Sequence, residues 1–282
     1  MRFAPARFRR FVIPGLVLVA LAGVASVRGQ SQSTPAVPRQ PPPPAAAPPP
    51  AIDPSQPATR PSDDVLASIT TEGRRIASYH EAIAKVRARI TEVKPDILER
   101  AKVFVVDRAG TWHVLVVGRE VDGTDARGWL VYADVVFQPR AGEVARLDLI
   151  EPPRPAPQDA QATMRALDAA LASTQAYKEY RQPFEQAIFR TVGKPPTFVV
   201  YLQTRSGAEG FARAGDDLRG VATADGGRMT EFGPLHAPGE GLDIAPAGGS
   251  GPTLHTHTTV DLPTATDVAT VIDHPDIAPH LV

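Results

Sequence analysis

The sequence predicts an α+β protein, and three observations carry that expectation. Ile69, Ile76, Ile83 and Ile90 recur every seven residues along one continuous helical pattern. Four β-rich runs, paired through Gly-containing turns, follow between 103 and 150. Helix and strand patterns then alternate from 158 to 282. The chain has 282 residues, 43% of them hydrophobic and 22% charged, which is enough for one or two ordinary domains. The expected order is an export leader at 1–30, a Pro-rich linker at 31–62, a helix with a four-stranded antiparallel sheet at 63–153, and a helix/strand domain at 158–282.

The leader rests on Arg2, Arg7, Arg9 and Arg10 ahead of an apolar run from Phe11 to Ala25, with Gly23 and Ala25 as small residues for cleavage. The run is shorter than the roughly 20 residues a spanning helix prefers. Two outcomes stay open. A cleaved signal peptide makes the protein periplasmic or secreted; an uncleaved segment anchors it in the inner membrane by residues 11–25. Both put the body outside the cytoplasm, and only the second involves a membrane. The absence of Cys excludes disulfides, thiolate metal sites, a Cys nucleophile and a lipoprotein anchor. A net charge of −1 gives no electrostatic ground for nucleic acid as a partner. The linker centres on Pro41 to Pro50, favours polyproline II and builds no core.

The first helix is expected to begin after Ser62, a good N-cap followed by Asp63 and Asp64, and to end at Pro95. Val65, Tyr79, Val86 and Val93 flank the Ile row, so one apolar stripe should lie on a sheet. That sheet is read as two hairpins turning at 107–110 and 139–142. Trp112, Trp129 and Phe137 are expected in its core, and His113 on the opposite face. Four Pro within 152–157 mark the boundary, because they continue neither a helix nor a central strand. A second helix is read from 158 to about 190, broken near Pro183, followed by a strand at 197–203 apolar enough to be buried on both faces. A hairpin over 218–232, an irregular Gly/Pro-rich stretch at 237–253, a short strand, a short helix and a final strand complete the chain.

The residues most suggestive of chemistry lie in Leu254-His-Thr-His-Thr-Thr-Val-Asp-Leu-Pro-Thr-Ala-Thr-Asp267. His255 and His257 at i and i+2 of a strand would share a face. Thr264 is placed as a helix N-cap and Asp267 in the first turn. Two imidazoles and one carboxylate suit zinc, which in catalytic sites keeps a further position for water. The alternative reading is structural: Thr264 to Asp267 also fits a capping box that needs no metal.

The same segment resembles the JAMM (JAB1/MPN/Mov34) metalloprotease motif, His-x-His-Pro followed by Ser-x-x-Asp. His255, His257 and Asp267 stand at its metal positions and Thr264 at its Ser. The resemblance implies a JAMM-like α/β domain over 158–282, zinc as cofactor, Thr264 as a catalytic group at the oxyanion, and peptide or isopeptide hydrolysis. Three departures accompany it. Thr258 replaces the Pro, the gap to Asp267 is one residue short, and the strand at 196–203 lacks the family's catalytic Glu. Glu185, Glu209 and Glu231 are the stand-ins within the region. The layout of the whole chain is also similar to exported bacterial proteins, a likeness that implies no activity. Two function classes follow. One is a non-catalytic binding or assembly module for a protein or peptide of the cell envelope; the other is a zinc-dependent peptidase.

Overall fold

The first helix, α1, spans Asp63–Val93, and its limits follow from its sequence. The Ser62 hydroxyl accepts the Val65 N–H at 3.4 Å, and Lys94 and Pro95 close the other end. The computed structural model describes residues 61–282 apart from 123–124, 178–179, 181–182, 208–210, 238–240, 245–252, 255–261, 276–279 and 282. The expected leader and nearly all of the linker therefore lie outside the described residues. Ser55–Val282 forms one compact unit.

Four strands follow α1: β1 (Ala101–Arg108), β2 (Thr111–Asp122), β3 (Asp125–Gln138) and β4 (Glu143–Pro155). They make an antiparallel meander in the order β1-β2-β3-β4, as the two hairpins predict. Alternation sends Val103, Val105, Trp112, Val114, Val116, Val135 and Phe137 to the face under α1. Phe104, Val106, Leu115, Val117 and Val131 go to the other face. Trp112 and Phe137 are buried, while Trp129 is half-buried beneath the Arg119 guanidinium, 4.1 Å from its ring centroid. His113 faces away from α1 and meets Asp134, with Nδ1 2.8 Å from Oδ1. β4 runs on through Pro152, Pro153 and Pro155, which is tolerated because β4 is an edge strand.

The second helix, α2, is shorter than the sequence predicts. It spans Gln158–Ser173, a 3-10 turn covers Thr174–Ala176, and Phe184–Arg190 is a strand, β5, rather than a continuation of the helix. Pro183 forbids the helix, and the residues after it alternate usefully. Ala187 and Phe189 face α1, while Ile188 faces α2. β5 joins β6 (Phe198–Thr204), β8 (Leu218–Ala222) and β9 (Met229–Pro234) in a second antiparallel sheet, order β5-β6-β8-β9. β6 is buried on both faces as its composition predicts, with Tyr201 toward α1 and Val200 and Leu202 toward α2. Gly226 turns the β8–β9 hairpin with φ of 73°, and a Cβ there would lie 2.0 Å from the Ala162 carbonyl oxygen of α2.

The stretch read as wholly irregular contains β10 (Leu242–Ile244), paired with β7 (Ala212–Ala214). β11 (Thr253–Leu254) pairs in parallel with β12 (His280–Leu281). Between them α3 spans Ala265–Asp273. It crosses α1 at Gly73, where a Cβ would sit 2.6 Å from Val268 Cβ and 2.8 Å from the Ala265 oxygen. One hydrophobic cluster joins Ile76, Tyr79, Val86 and Ile90 of α1 with Phe189, Tyr201, Ala265 and Ala269, so α1 is packed from both halves of the chain. Each fully buried Ile or Val of this cluster contributes about 1.5–3 kcal/mol. Tyr79 adds direction: its hydroxyl accepts the Val105 N–H at 3.1 Å, and its ring meets Phe189 and Trp112 edge-on.

Candidate functional site

Thr264 and Asp267 come together as a capping box. The Thr264 hydroxyl accepts the Asp267 N–H at 3.2 Å, and Asp267 Oδ2 accepts the Thr264 N–H at 2.6 Å. The Thr264 hydroxyl also donates to Asp267 Oδ2 at 2.8 Å. Two otherwise orphaned N–H groups at the start of α3 are satisfied in this way, and the carboxylate complements the positive end of the helix. Both residues are buried.

The other carboxylate oxygen of Asp267 faces a histidine that sequence reading did not assign to the site. His236 Nε2 lies 3.2 Å from Asp267 Oδ1. Its second nitrogen, Nδ1, lies 3.9 Å from Asp217 Oδ2. Asp217 precedes β8, His236 follows β9 and Asp267 opens α3, so three elements deliver one Asp–His–Asp chain. Their exposures are 1%, 0% and 2%, which closes the chain to solvent. Asp217 Oδ1 accepts the Thr204 N–H at 3.2 Å, and its carbonyl accepts the Leu235 N–H at 2.8 Å. Burial pushes the Asp217 carboxyl well above the usual carboxylate range, and the charges of Asp267 and Asp216 push the same way. Hydrogen bonds from Thr266 and Thr204 oppose the shift without reversing it. Beside it Arg213 pairs with Asp216, and with Asp243 at 3.0 Å. This arrangement can share and hold protons and can fix chain segments; a substrate cannot reach it without the fold opening.

Of the sequence-predicted site residues, Thr264 and Asp267 are adjacent, while His255 and His257 lie outside the described residues. Among the described residues no group of three or more His, Asp or Glu side chains is arranged to hold a metal ion. Asp267 turns one oxygen to the cap and the other to His236. Glu209 lies outside the described residues, Glu231 is exposed on β9, and Glu185 sits on β5. The carboxylate that meets β6 comes instead from α1, where Glu72 accepts the Tyr201 hydroxyl. The signals for the missed residues are faint: Asp216-Asp217 abuts an apolar strand, and five of the seven His fall from 236 onward.

Polar groups also meet solvent in a cleft of about 760 Å³ bounded by α1, β5 and the C-terminal end of α3. His80 of α1 points Nδ1 at Asp273 Oδ2 across 2.8 Å, with Glu185 Oε2 3.9 Å away. Arg205 pairs with Glu185, and Arg87 lines the same cleft. Ile83, Phe184 and Ile272 supply apolar wall. Its volume falls within the roughly 300–1,000 Å³ range of small-molecule pockets. Comparison of the chain with protein-family models, curated proteins and solved structures gave no match.

Proposed function

We propose that the chain is an exported envelope protein that acts as a non-catalytic binding or assembly module, with the α1–β5–α3 cleft as its ligand site. One observation carries this reading. The carboxylate of Asp267 is withdrawn from solvent into the helix cap and against His236, whereas the cleft gathers polar groups that open to solvent. Export is supported by the basic-then-apolar leader and the Pro-rich spacer after it. No helix among the described residues is long and apolar enough to cross a membrane. The near-neutral charge favours a protein or peptide partner over nucleic acid.

A second reading, a zinc-dependent peptidase of JAMM-like type, draws on the adjacency of Thr264 and Asp267 at a helix start, as that motif requires. It would place the ion on His255, His257 and Asp267. Metal content separates the two. The purified chain and its His257→Ala variant are incubated with zinc, dialysed and assayed for bound metal. Under the binding reading neither retains zinc. Stoichiometric zinc in the parent, lost in the variant, would overturn it in favour of the peptidase.

A further inference from the structure

The outer edge of the first sheet is open. β4 ends the order β1-β2-β3-β4, and no strand among the described residues pairs with its far side. None of its 13 residues is buried. Leu149 is 40% exposed, and Val144 and Leu147 line an open groove between β4 and α1. Sheet edges are commonly kept apart by Pro, by bulges or by charges that repel their like. Pro152, Pro153 and Pro155 guard the C-terminal end of β4, and a register shift interrupts its start beside Val144. Between these devices, Arg146 to Leu149 run in unbroken register against Val136 to Ala133. Leu147 packs toward α1, so alternation sends Arg146 and Asp148 to the opposite face. There they lie 2.9 Å apart, both exposed, and their charges are of opposite sign.

Opposite charges two residues apart on one strand are self-complementary under a two-fold axis, because each residue of one copy then meets the other residue of the second copy. Antiparallel pairing of β4 with β4 of a second copy, centred on Leu147, sets Arg146 of each copy opposite Asp148 of the other, and Leu147 against Leu147. Centring on Arg146 or on Asp148 instead would oppose that residue to its own copy, so charge selects one register. Glu143 and Glu151 face each other only at the ends of the paired stretch, and Glu151 already has Lys94 as its cation. We propose that the β4 edge is the interface of a homodimer, in which two four-stranded sheets join into one. The inference stands apart from the cleft, and its failure leaves the binding reading untouched.

The test is sedimentation velocity of the purified chain from about 1 μM to about 200 μM, a range that reaches weak homodimers, alongside Arg146→Asp and Asp148→Arg. Both side chains are exposed, so the fold should stand in each variant, and circular dichroism checks that it does. The parent should dimerise. Each single variant should dimerise about tenfold more weakly, since two opposite-charge pairs become two like-charge pairs. An equal mixture of the two variants should associate as the parent does, because an acidic edge then meets a basic one. Neither variant regains an ion pair between these positions within its own chain, so recovery in the mixture reports pairing between chains. A parent that stays monomeric throughout would overturn the proposal. Variants that dimerise like the parent would place the interface elsewhere, and a mixture no tighter than either variant alone would refute the register and the edge together.

Discussion

The crossing of α1 and α3 gives the sharpest test of how the fold is held, because a single methyl group has nowhere to go. In Gly73→Ala the new Cβ would lie 2.6 Å from Val268 Cβ, 2.7 Å from Val268 Cγ1 and 2.8 Å from the Ala265 oxygen. Carbon atoms in contact sit about 3.5–4.0 Å apart, so the helices must part by roughly 1 Å. None of these atoms is the end of a flexible side chain. Helix propensity alone favours Ala over Gly by about 1 kcal/mol, whereas overpacking of a fitted interface costs about 1–3 kcal/mol. The clash should win because backbone as well as side chain must move, for a net loss of about 1–2 kcal/mol. Urea unfolding followed by tryptophan fluorescence should show a midpoint lowered by roughly 0.5 M. Gly128→Ala is the control, since a Cβ there meets nothing within 4 Å. An unchanged or raised midpoint for Gly73→Ala would refute the reasoning and mean that the crossing is loose.

Two further outcomes follow from the buried polar residues. Thr264→Ala removes both halves of the hydroxyl's work at the start of α3 and should cost about 1–2 kcal/mol, with Thr264→Ser recovering most of it. Equal thermal stability of the Ala variant would show that the cap is dispensable. Asp217 ties stability to pH. Its carboxyl is raised in the fold above the ordinary 3.8, so the folded chain holds the proton more tightly than the unfolded chain does. Its contribution is therefore fully present below the unfolded value and is lost as pH rises through the raised one. Asp217→Asn resembles the protonated form and should match the parent near pH 4 but gain on it steadily toward pH 8. Denaturation midpoints at a series of pH values check this, and a pH-independent difference would contradict it.

The parts of the fold legible in the sequence are those specified by neighbours in the chain. The Ile row with its Ser62 cap defines α1, and the turns at 107–110 and 139–142 define the meander. Thr264 and Asp267 were readable for the same reason, since a capping box is an i, i+3 device. Phe184–Arg190 was misread because Met164, Leu167 and Leu171 set up a helical phase, and nothing local says that β5 lies between α1 and α2. The three-residue strands β7 and β10 are too short to carry a period. Gly73 looks like an ordinary weak point in a helix until Val268, far along the chain, is brought against it. Asp217, His236 and the charges of the cleft were missed likewise, because their partners belong to other elements.

The buried Asp–His–Asp chain has a consequence for the segment that carries the His pair. His236 precedes the Gly/Pro-rich stretch in the sequence, and Thr264 and Asp267 follow it at the start of α3. The contact between His236 and Asp267 therefore ties the two ends of segment 237–263 together, inside the protein and away from competing water. The pairings of β10 with β7 and of β11 with β12 fasten the same segment at two further points. Charge buried for this purpose is costly unless paired, which accounts for the supporting bonds from Thr204, Thr264 and Thr266. Either function class can use this contact, since it fixes the start of α3 that carries Asp267. What distinguishes them is whether Asp267 keeps His236 as its partner, and the metal measurement reads that choice.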